Sequence, residues 1–80
     1  MIVIKFKLSK EDTDFLLKYA ENAEKLIAEQ NSGELFVELE YAILERGLDK
    51  DGFYNAFGRR AQEVHDNLLA SIEEHREKNT

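Results

Sequence analysis

The chain has 80 residues, a formal net charge of −6 and no cysteine, which limits it to one small domain and excludes disulfides and thiolate metal clusters. Apolar residues make up 42% and charged residues 35%, the mixture of amphipathic helices with solvated outer faces. Lys5, Lys7 and Lys10 make the first ten residues +3, which leaves −9 on residues 11–80; such a surface repels phosphate backbones and anionic lipid, so neither direct nucleic-acid binding nor membrane binding is expected.

Residues 2–8, IVIKFKL, alternate Ile2, Ile4, Phe6 and Leu8 with Val3, Lys5 and Lys7, the period of a half-buried strand. The lysines follow the apolar residues and no small-residue cleavage site comes after them, unlike a signal peptide. No apolar run approaches the roughly 20 residues that span a bilayer, and a cytoplasmic protein is expected. Ser9 fits an N-cap, with Asp12 three residues on as a carboxylate version of the capping box. A helix is then predicted over residues 10–31, with Phe15, Leu16, Tyr19, Ala20, Ala23, Leu26 and Ile27 along one stripe. Asn31-Ser32-Gly33 ends it.

Residues 34–46 read as a second helix, with Leu35, Phe36, Leu39, Ala42 and Ile43 on one face. Val37 and Leu44 fall on another face, which predicts a helix covered on two sides. Residues 35–41 also alternate acceptably as a strand, but the Leu, Ala and Glu content and Gly47 as a stop favour the helix. A third helix is predicted over residues 52–78, with Phe53, Phe57, Ala61, Val64, Leu68 and Ile72 on one side. The fold class is therefore mainly α, one short N-terminal β-strand followed by three helices in a single domain. The alternative is an α+β arrangement, β-α-β-α, with residues 35–41 paired in parallel to residues 2–8.

The join GLDKDGFYN, residues 47–55, comes close to the start of a calcium-binding loop. Such a loop needs oxygen ligands at positions 1, 3 and 5, Gly at 6 and a bidentate Glu at 12. Counting from Asp49 puts Phe53 at position 5 and Arg60 at position 12; counting from Gly47 loses the first ligand and puts Gly58 at position 12. Neither register fits, so the segment reads as a joint, with Asp49 or Asp51 capping the third helix.

His65 and His75 are the two histidines. Ten residues apart, they point about 80° from one another on a helix and cannot share a metal. A proton-transfer role for His65 needs a converging partner. Gly58 costs about 1 kcal/mol against Ala in a helix interior, which points to a close helix crossing or to room made for a ligand. Arg59 and Arg60 can pair with carboxylates of this chain or of a partner. Glu21, Glu24, Glu29, Glu34, Glu38, Glu45, Glu63 and Asp66 are dispersed, as on a solvated outer face. There is no phosphate loop, nucleophile motif or cofactor fingerprint, so no catalytic, cofactor-binding or metal-ligating residue is assigned and no cofactor is expected.

The sequence thus points to a small acidic, non-catalytic protein–protein interaction or regulatory protein. Its expected partners are itself and another protein. The homodimer is expected through the N-terminal strand, with Ile2, Ile4 and Phe6 at the contact, because a lone strand leaves backbone groups unpaired. Two alternatives accompany this reading: an acidic inhibitor, immunity-type or nucleic-acid-mimicking, that blocks a basic target, and a small enzyme or metal-binding protein using His65.

Overall fold

Ser9 opens the first helix as the sequence predicts, its Oγ accepting a hydrogen bond from the Asp12 N–H at 3.1 Å. The computed structural model describes residues 6–77, with side chains as far as Glu74. Its elements are α1 (Lys10–Tyr19), α2 (Ala23–Ala28), α3 (Ser32–Arg46) and α4 (Ala56–Glu77). The mainly α class holds, and residues 35–41 lie within α3 rather than in a strand. Most of the strand expected over residues 2–8 falls outside the described residues.

The helix expected over residues 10–31 is divided in two. Ala20 is extended (φ −100°, ψ 129°) and Asn22 sits in the left-handed region (φ 60°), a conformation asparagine tolerates better than most residues. The apolar stripe keeps its period across the break, so periodicity alone gives no sign of it. α2 then closes in a Schellman arrangement: the Asn31 N–H donates to the Leu26 carbonyl at 2.8 Å and the Gln30 N–H to that of Ile27 at 3.0 Å. Gln30 takes the left-handed position usually given to glycine (φ 56°). Its side chain is used elsewhere, Oε1 accepting from the Phe6 N–H at 2.7 Å and Nε2 donating to the Ile27 carbonyl at 3.1 Å. Asn31 does not merely end a helix. Its Oδ1 caps α3 by accepting from the Glu34 N–H at 3.2 Å.

α4 begins four residues later than predicted. Its cap is Asn55, not Asp49 or Asp51: Asn55 Oδ1 accepts from the Gly58 N–H at 2.8 Å, and its Nδ2 donates to the Arg46 carbonyl at 2.9 Å. One side chain therefore starts α4 and satisfies a carbonyl that the end of α3 leaves open. Phe53, assigned to the apolar stripe from sequence, lies in the preceding loop and is exposed.

A continuous core joins Phe6, Leu16, Ala23, Leu26, Leu35, Leu39, Val64, Leu68 and Ile72. α3 and α4 form its largest helix–helix contact, and the backbone just past α3 meets α4 closely at Gly47 and Gly58. A methyl group on Gly58 would overlap the Gly47 carbonyl oxygen and lie 2.8 Å from its carbon. The close crossing expected at Gly58 is thus a backbone-on-backbone contact between the end of one helix and the start of the next.

Candidate interaction surface

The side chains with chemistry sort into three groups, two structural and one facing solvent. In the first, the Asp12 carboxylate is buried between α1 and α4. It takes Arg60 Nη2 at 2.8 Å on one oxygen and Asn67 Nδ2 at 2.8 Å on the other. The capping box foreseen for Asp12 is therefore only half made, since its N–H bonds Ser9 while its carboxylate crosses to α4. Arg60 also lies over the Phe15 ring, 5.6 Å from its centroid, and 3.5 Å from Glu63. Sequence spacing could not reveal a triad whose members come from positions 12, 60 and 67.

The second group is the joint. Asp49 Oδ1 accepts from the Asp51 and Phe53 N–H groups at 2.9 and 3.0 Å, and Gly52 turns the chain at φ +86°. This is an aspartate-stabilised turn, closed by an antiparallel bridge between Leu48 and Tyr54. Asp49 is committed to the backbone. Among the described residues no three His, Asp or Glu side chains converge on a possible metal position.

His65 packs its ring on Phe36, the centroids 4.8 Å apart. Its Nδ1 is closed off from solvent without a hydrogen-bond partner, and the 3.5 Å to Asp66 Oδ1 is at the outer limit of such a bond. Asp66 Oδ1 instead accepts from Gln62 Nε2 at 2.9 Å. The structure thus brings His65 to an aromatic neighbour and gives it no aligned acid. The side chain of His75 is outside the described set, as are Ile2 and Ile4. Phe6 is buried in the core of its own chain, and the Phe6 and Lys7 N–H groups donate to Gln30 and to Ser71 Oγ, the latter at 2.6 Å.

The third group lies on α3. Val37, Tyr41 and Leu44 are 39, 59 and 69% exposed, so the second face predicted to be covered is open among the described residues. At about 100° per residue the three fall within roughly 60° of one another, a ridge opposite the core-facing Leu35, Leu39 and Ile43. A cleft lies on each side. One, about 360 Å³, runs between Tyr41 and Tyr19 and is lined by Glu21, Glu38, Glu45 and Arg46. The other, about 440 Å³, runs from Leu44 to Tyr54 and His65, with Glu40 at its margin. Arg46 lies 5.9 Å from the centroid of Tyr19 and 5.7 Å from that of Phe57, and Lys18 Nζ lies 5.3 Å from that of Tyr19, so these cations lean on aromatic rings of α1 and α4, while the glutamates fringe the ridge. The apolar character of Val37, Tyr41 and Leu44 was legible from sequence, but their exposure was not.

No helix among the described residues is long and apolar enough to cross a membrane. Comparison with protein-family models, with curated proteins and with solved structures finds no match for this chain.

Proposed function

We propose that this is a small acidic interaction protein without catalysis, acting in the cytoplasm through protein contacts, that it also self-associates, and that the surface it offers to another protein is the outer face of α3. The exposed ridge Val37–Tyr41–Leu44 carries this reading. Three large apolar side chains in register on one helix face, turned away from the core and uncovered among the described residues, form the kind of exposed apolar patch that marks a protein contact. The two clefts give that contact relief, so an incoming side chain has somewhere to enter.

Light scattering coupled to size exclusion, together with affinity capture from the native cell, tests the reading on wild type and on the double variant Tyr41→Glu, Leu44→Glu. Both positions are exposed, so the thermal midpoint should stay within a few degrees. The variant is expected to lose its captured partner. Wild-type association that persists unchanged in a folded variant would move the working surface away from α3.

A further inference from the structure

The ridge on α3 is fringed by charge of one sign. Glu40 borders it on one side, and Glu34, Glu38 and Glu45 on the other, with Glu21 across the Tyr41 cleft. Resting on the reading of α3 as the working surface, we propose that its occupant is an amphipathic, basic helix of a partner protein. Its apolar side chains would lie along Val37, Tyr41 and Leu44, and its lysines or arginines would reach the flanking glutamates.

Charge decides the sign of the partner. A second copy docked ridge to ridge brings the same four α3 glutamates to its own edges, and like charges facing one another cost energy. A basic helix gains where the second copy loses, and its association is steered by the same field. Backbone pairing decides the form of the partner. The ridge is helical, and among the described residues the only β pairing is the isolated bridge between Leu48 and Tyr54, so α3 presents no sheet edge for strand addition. Affinity must come from side-chain packing, the helix-in-groove mode with anchors at i, i+3 or i+4, and i+7. Val37, Tyr41 and Leu44 themselves carry that spacing.

Fluorescence anisotropy on the full chain tests this with three labelled 18-residue peptides: an amphipathic Leu/Lys helix, the same composition scrambled to destroy the apolar stripe, and the amphipathic pattern with Glu in place of Lys. The Leu/Lys helix is expected to bind at least tenfold more tightly than the scrambled peptide, and more weakly as salt rises. The Leu/Glu helix should not bind. Tyr41→Ala, Leu44→Ala should weaken the Leu/Lys peptide at least tenfold, while Leu17→Ala, exposed on α1, should leave it within twofold. Equal binding of the ordered and scrambled peptides, or a Tyr41/Leu44 variant that binds like wild type, overturns the proposal. If no peptide binds but the chain dimerises and Tyr41→Glu, Leu44→Glu dissolves the dimer, the α3 surface stands and the basic helix falls, its place taken by a second copy. If neither binding nor association depends on α3, both fall.

Discussion

Gly58→Ala is expected to destabilise the protein by about 2 kcal/mol or more, although Ala is the better helix former. The two effects oppose each other. Propensity favours Ala by about 1 kcal/mol in a helix interior, whereas a methyl group forced into a packed contact costs about 1–3 kcal/mol and occasionally more. Here the obstacle is the Gly47 carbonyl group, with its carbon 2.8 Å and its Cα 3.1 Å from the new methyl. A side chain could rotate aside, but a backbone carbonyl at a helix end cannot. α3 and α4 must separate, and the Asn55 hydrogen bonds that join them must stretch with them. Steric overlap therefore wins, and the melting midpoint should fall by roughly 8–16 °C for a domain of this size. Gly33→Ala is the control: the added methyl would meet only Asn31 Oδ1 at 3.9 Å, so its midpoint should hold or rise. A more stable Gly58→Ala protein would show that the two helices do not meet at these glycines in solution.

The second large effect is asymmetric. Arg60→Ala should cost more than Asp12→Ala, about 3–4 against about 2 kcal/mol, although both remove the same ion pair. The Asp12 side chain is 5% exposed and that of Arg60 31%. Removing Asp12 leaves a guanidinium that can swing into water and an Asn67 already at the surface. Removing Arg60 strands a carboxylate that cannot reach water, with Asn67 Nδ2 as its one remaining side-chain donor, and an uncompensated buried charge is the costlier fault. Urea unfolding with unchanged slope measures both differences. Equal losses, or the reverse order, would mean that Asp12 is solvated and the pair is a surface contact worth little.

Local signals in the sequence specify the structure where they are complete. The Ser9 cap, the Gly47 stop, the core face of α3 and the stripe Ala61, Val64, Leu68, Ile72 all rest on residues within a few positions of each other. The structure departs from the sequence pattern for two reasons. Some departures arise because a feature leaves the period undisturbed: the break at Ala20–Asn22 preserves the apolar spacing, and Gln30 stands where only a glycine would have signalled a left-handed turn. Phe53 shows the opposite fault, since it extended the stripe by one step and drew the predicted start of α4 away from Asn55, whose N-cap signal was present. Other features depend on tertiary structure alone. That Asp12 would reach Arg60 and Asn67, or that Val37 and Leu44 would find no cover among the described residues, depends on where the other helices lie.

The hold of Ser71 on the Lys7 N–H spans 64 residues, and that of Gln30 on Phe6 spans 24. Their different sequence separations imply an expected order of assembly. Closing a loop of that greater length costs roughly 1.5 kcal/mol more than bringing Gly47 to Gly58, so the α3–α4 hairpin has the entropic advantage and the Phe6–Lys7 segment is expected to dock afterwards. Contacts made after the barrier govern how fast a protein comes apart rather than how fast it forms. The Phe6–Lys7 segment, held by Gln30 and by Ser71 of α4, is therefore expected to act as a late-closing latch, controlling the lifetime of the native state more than the speed of reaching it.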